Sequence, residues 1–191
     1  MQWLSGNINT FSQEALQQAF RQLSSSRREY ILRLKRQEDR DRSLAAELLV
    51  QKLLAEAGIT GATLHRRENG QPYLTGCDLH VSISHSHDMV ACAIDHEAVG
   101  IDIEQIHPIK PRLCHHVCTP EEMAYVWQGA PAPDGDLCRE PAVLQRFFEV
   151  WTGKEAYFKK LGTGITDLKS VNILPLPRQV HLLSGYVLQI L

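Results

Sequence analysis

Apolar and polar residues alternate with a period of two along several short stretches of this chain, and with a period near 3.6 along longer ones. Strand side chains point to opposite faces in turn, whereas a helix returns to one face after three or four residues. The first pattern predicts strands over residues 2–8, 63–66, 71–74, 79–87, 89–94 and 99–104, with short ones over 169–174, 179–183 and 186–191. Within 79–87, Val81 and Ile83 are expected to face a core, and Ser82, Ser84 and His85 to line the other side or the strand end. The second pattern predicts a helix over 43–57, where Leu44, Leu48, Leu49, Leu53 and Leu54 form a stripe and Gly58 stops the run. It predicts another over 142–161, striped by Leu144, Phe147, Phe148, Trp151, Ala156 and Phe158 and stopped at Gly162. Ser12 caps a helix, and Thr119-Pro120-Glu121-Glu122 opens another. Asn69-Gly70 is a hairpin turn, and residues 130–135 form a loop.

Strand, helix and hairpin follow one another twice, once before about residue 97 and once after it. This order predicts an α+β protein built from two similar α/β halves, residues 1–97 and 98–191, forming a pseudo-dimer within one chain. Of the 191 residues, 43% are hydrophobic and 22% charged, an ordinary composition for a globular protein. The net charge of −2 gives no reason to expect nucleic acid or a membrane surface as partner. No apolar run approaches the roughly 18 residues of a spanning helix, and the first residues lack the pattern of a signal peptide. A cytoplasmic protein is expected, and five cysteines, an odd number, are then expected as thiols. Cys114-His115-His116-Val117-Cys118 matches no common zinc spacing, so thiols and imidazoles at a helix edge are the simpler reading.

Four stretches offer chemistry. In Val99-Gly100-Ile101-Asp102-Ile103-Glu104 the two carboxylates share one strand face, roughly 7 Å apart. Such a face is either an acidic edge in water or a set of oxygen ligands for a hard cation. In Trp151-Thr152-Gly153-Lys154-Glu155-Ala156 followed by Lys159, Glu155 and Lys159 are four apart on one helical face, as a surface ion pair or as an acid and a base beside aromatic residues. Ser82, Ser84 and Ser86 with His85 and His87 suit the oxygens of a polyanion. From Arg21 to Arg42 arginines and lysines dominate, either as a solvated helix face or as a docking surface for phosphates.

Together and in this order, these stretches resemble the 4′-phosphopantetheinyl transferases, of the two-half monomeric type typified by the surfactin synthetase activator. The acidic strand and the Trp151-to-Lys159 helix carry the resemblance, supported by Ser82-Ile83-Ser84-His85-Ser86 and by Glu38-Asp39 with Arg42. It implies the fold of that family, coenzyme A as substrate, Mg²⁺ as cofactor and an apo acyl or peptidyl carrier protein as partner. It further implies that Asp102, Glu104 and Glu155 hold the metal, that Glu155 takes a proton from the carrier serine, and that Lys159 and Lys154 act at the phosphates. Arg27 and Arg42 would meet the ribose 3′-phosphate, Ser82, Ser84 and His85 would line the phosphates, and Arg67, Gly70, Gln71 and Pro72 would lie beside the adenine. The family usually has Gly-Lys-Pro where this chain has Gly70-Gln71-Pro72. The carrier would dock on the apolar and aromatic stretch 114–127. Two other classes are compatible with parts of the pattern: a catalytically silent coenzyme A-binding module of the same fold, and an unrelated metal-dependent phosphoesterase.

Overall fold

The computed structural model describes residues 1–129, 137–165 and 167–191; the loop expected over 130–135 lies outside the described residues. The chain separates into two compact units, Met1–Val99 and Gly100–Leu191.

In the first unit, β1 (Gln2–Asn7) leads through a 3₁₀ turn (Ile8–Thr10) into α1 (Gln13–Gln22), α2 (Ser25–Arg33) and α3 (Gln37–Glu56). Then come β2 (Thr63–Arg66), β3 (Pro72–Thr75), β4 (His80–Ser86) and β5 (Met89–Asp95). Strands β1, β5 and β4 form an antiparallel sheet in that order, and β2 and β3 form a separate hairpin. Leu49, Val50, Leu53 and Leu54 of α3 pack on Val81, Ile83, Val90, Cys92 and Ile94, so the leucine stripe is core. α3 begins at Gln37 rather than at 43. Its polar first turns carry no apolar stripe and are held by local bonds, Gln37 Nε2 donating to Asp41 Oδ1 at 2.8 Å and Arg42 pairing with Asp39. On β4 the serines Ser82, Ser84 and Ser86 are buried, on the face away from Val81 and Ile83. His85 belongs to the Val81 side instead, at the exposed strand end, where its charge is felt by Asp39.

The second unit runs β6 (Ile101–Gln105), α4 (Arg112–Val117), α5 (Pro120–Trp127), α6 (Pro141–Leu161), a 3₁₀ turn (Leu168–Ser170), β7 (Gln179–Leu183) and β8 (Tyr186–Ile190). The sheet order is β6-β8-β7, again antiparallel. Both units thus share one wiring: first strand, last strand in the middle, next-to-last strand beyond it. The strand expected over 169–174 is instead a 3₁₀ turn followed by irregular chain, with Ile173 buried. Leu144, Phe147, Phe148 and Val150 of α6 meet Cys114, Val117, Val126 and Trp127 from α4 and α5. Among the described residues, no helix is long and apolar enough to cross a membrane.

Two glycines let α6 lie close to its neighbours. A Cβ on Gly100 would stand 1.8 Å from the Ala156 carbonyl oxygen, and one on Gly153 would stand 2.1 Å from Ile173 Cδ1. At Gly100 only a residue without a side chain fits, whereas at Gly153 a side chain would require Ile173 to turn away.

Candidate functional site

The contact at Gly100 aligns the acidic strand with α6. Two residues further along β6, Asp102 accepts a hydrogen bond from Lys159 Nζ at 2.6 Å. Asp102 is 2% exposed, whereas Lys159 and Glu104 are partly open to solvent. Glu155, one helical turn before Lys159, has its carboxyl pushed up to about 7. Burial is the main cause and the negative charge of Asp102 the next; Lys159 pulls it back and Glu104 adds a smaller push. Three carboxylates and one ammonium therefore act on one another at the β6–α6 crossing. Among the described residues, no three His, Cys, Asp or Glu side chains form a ready-made metal cage. The donor chemistry nevertheless fits Mg²⁺, which takes hard oxygen ligands and only one or two protein carboxylates beside waters and substrate phosphates. A divalent cation would also relieve the like-charge repulsion that raises Glu155.

Lys154 is not at this cluster. Its side chain is fully buried, pairs with Glu122 at 2.7 Å and donates to the carbonyls of Leu168 and Val171 at 2.5 and 2.6 Å. Glu122 in turn closes the capping box of α5 through Thr119 and accepts the Ile173 N–H at 2.8 Å. Lys154, expected at the phosphates, therefore ties α5, α6 and residues 168–173 together and presents no ammonium to a ligand. In the stretch 114–127, Cys114, Val117, Cys118, Val126 and Trp127 are buried in the core of the unit, whereas Met123 and Tyr125 are partly open to solvent. His115 and His116 are exposed while the two thiols are buried, so thiols and imidazoles point to different surroundings.

The first unit holds a cleft of about 370 Å³ lined by Ser24, Ser26, Arg27, Tyr30, residues 64–68 and Gly70. Arg27 Nε donates to the buried Glu47 at 3.0 Å, and its guanidinium lies 4.9 Å from the centre of the Tyr30 ring. Arg67 stacks over Tyr73 at 5.0 Å. Of the residues expected to meet coenzyme A, Arg27, Arg67 and Gly70 are brought together here, whereas Gln71 and Pro72 do not line the cleft. Arg42 stands elsewhere, donating to the His87 carbonyl at 2.6 Å and pairing with Asp39, whose carboxyl it holds below the usual range. His85 belongs with that second group, and Ser82 and Ser84 are buried on β4. Two residues of the cleft, Arg66 and Tyr30, were not anticipated from the sequence. The register Arg66↔Pro72 across the Asn69-Gly70 turn was the available signal for the first.

Comparison with known proteins finds two family models on this chain. A family model described as 4′-phosphopantetheinyl transferase, N-terminal, matches residues 10–97. One described as 4′-phosphopantetheinyl transferase superfamily matches residues 98–187. The chain is 34% identical over 146 residues to 4′-phosphopantetheinyl transferase gsp of Aneurinibacillus migulanus, covering 75% of this chain and 57% of that one. It is 29% identical over 148 residues to a 4′-phosphopantetheinyl transferase of Bacillus subtilis, covering 75% and 62%. With 4′-phosphopantetheinyl transferase Sfp of Bacillus subtilis strain 168 it shares 28% over 159 residues, covering 81% and 67%. The chain spans roughly three fifths of the length of these curated relatives. With one model matched on each half and relatives matched across both, the chain belongs to the 4′-phosphopantetheinyl transferase superfamily.

Proposed function

We propose that this protein moves the 4′-phosphopantetheine arm of coenzyme A onto a serine of an apo acyl or peptidyl carrier protein, releasing adenosine 3′,5′-bisphosphate. The observation that carries this reading is the crossing where Asp102, Glu104, Glu155 and Lys159 act on one another. The serine oxygen forms a bond to the phosphorus that bears the pantetheine arm, and the bridging P–O bond of the diphosphate breaks. Glu155 takes the serine proton. Lys159, partly open to solvent, neutralises the charge that develops on the leaving bisphosphate. Asp102, Glu104 and Glu155 would hold Mg²⁺, which would supply positive charge against the diphosphate. The arginine-lined cleft of the first unit takes the nucleotide end of coenzyme A. We place the reaction in the cytoplasm, in keeping with five free thiols, with a single chain as the working unit.

The test is direct. Incubation with coenzyme A, Mg²⁺ and a panel of apo carrier proteins should raise the mass of at least one carrier by one phosphopantetheine. Coenzyme A binding with no mass gain on any carrier would leave a silent binding module, and coenzyme A hydrolysis without a carrier would point to a phosphoesterase.

A further inference from the structure

The buried positions of β8 are the apolar residues Val187, Leu188 and Ile190, with one exception. Gln189 is 0% exposed and stands directly opposite Asp102 in the β6–β8 ladder. Residues opposite one another in such a ladder point to the same face, so the amide shares its face with the Asp102 carboxylate. From there Gln189 Nε2 donates to the Glu149 carbonyl in the middle of α6. Gly153 leaves room for it, since a Cβ there would stand 2.9 Å from Gln189 Oε1. We propose that Gln189 is a positioning residue for the acidic centre: its amide fixes α6 against the sheet that carries Asp102, and so sets how Asp102 and Glu155 stand towards one another.

The burial of this amide supports the assignment. Gln189 Oε1 is buried and has no hydrogen-bond partner among the described residues. A leucine or methionine of similar size would fill the space without an orphaned carbonyl, so stability alone favours an apolar residue here. What the amide adds is direction. An apolar side chain packs wherever volume allows, whereas a hydrogen bond to one carbonyl selects one height and one rotation of the helix. The second fixed point of α6 is the close approach of Gly100 to the Ala156 carbonyl, about two helical turns beyond Glu149. Glu155 lies between these two points, and Lys159, which donates to Asp102, lies just beyond them. A helix held at both points neither slides nor turns, and it keeps Glu155 and Lys159 in place beside Asp102.

This assignment rests on the proposed metal-dependent transfer, and titration with Mn²⁺ alone separates the two. Mn²⁺ suits the same oxygen ligands as Mg²⁺. Gln189→Leu removes the amide and keeps most of its volume. It should hold or raise the melting temperature and weaken Mn²⁺ binding about tenfold. It should also lower kcat about tenfold or more while the KM for coenzyme A stays within about twofold. Gln189→Met follows the shape of the glutamine side chain and should behave alike, which provides a second variant where leucine does not fit. Unchanged Mn²⁺ affinity and kcat in a folded variant would overturn the role of Gln189, as would a lower melting temperature with both kept. Failure of both variants to fold would overturn it too, because the amide would then hold the core together rather than aim α6. A wild-type chain that binds Mn²⁺ but transfers nothing would overturn the proposed reaction alone, and the Mn²⁺ titration would still decide the role of Gln189. A wild-type chain that binds no Mn²⁺ would overturn both.

Discussion

Glu155 is the residue whose charge state matters most. Its carboxyl titrates near 7 in the folded chain, against about 4.5 when unperturbed, so the fold favours its protonated form. The stability linked to that proton is complete below about 4.5 and is lost as the pH rises through 7. Glu155→Gln should therefore stabilise the protein at pH 8 without divalent cations, by on the order of 1–2 kcal/mol once solvent screening of a partly open group is allowed for. In a chain of this size that is several degrees of melting temperature, and the gain should vanish at pH 4. Asp102→Asn removes a like charge and should move the Glu155 midpoint, followed by carboxyl NMR, to lower pH; Lys159→Met should move it upward. The Glu155–Lys159 spacing could be read from the sequence because it lies within one helix. What spacing does not reveal is that Lys159 pairs across to Asp102. Lys154 illustrates the opposite limit: its partner Glu122 lies far away in the chain, and a buried lysine beside a catalytic-type glutamate reads the same as an exposed one.

At the scale of elements, the two glycines along α6 predict different outcomes. Gly100→Ala drives a methyl into the Ala156 carbonyl, which belongs to helix backbone and cannot yield, so the variant should fail to fold or lose several kcal/mol. Gly153→Ala meets Ile173 Cδ1, the far end of a side chain that can turn, and should cost about 1–3 kcal/mol in denaturant unfolding. Lys154→Met strands the buried Glu122 carboxylate and should cost about 3–5 kcal/mol, whereas Lys154→Met with Glu122→Gln should recover a large part. Helices with an apolar stripe and a glycine stop were evident from pattern alone, as α6 shows. The first turns of α3 were not, because polar helix held by local ion pairs has no periodic signature. The chain after Leu168 reads as strand because Val171 and Ile173 alternate with polar residues, whereas the carbonyls of Leu168 and Val171 accept from the Lys154 ammonium, a pairing that no alternation records.

For the whole molecule, the proposed function gives the two units different chemistry. Asp102→Asn should lower turnover about 100-fold or more while leaving binding of adenosine 3′,5′-bisphosphate within about threefold. Arg27→Gln should do the reverse, raising KM about tenfold with turnover at saturating coenzyme A nearly kept. Steady-state kinetics beside titration of the product would expose any mixing of these effects. The α+β composition and the twofold succession of elements were apparent in the sequence, since periodicity and turn residues are local; which arginines share a cleft was not, since that depends on pairing across β2 and β3. The shared wiring of the units has one more consequence. β1 and β6 open their sheets in the same topological place, yet Gln2-Trp3-Leu4-Ser5-Gly6-Asn7 contains no acid at all. The chain thus contains its own control experiment: an opening strand of this architecture stands without carboxylates, so Asp102 and Glu104 answer to a demand other than holding the sheet together.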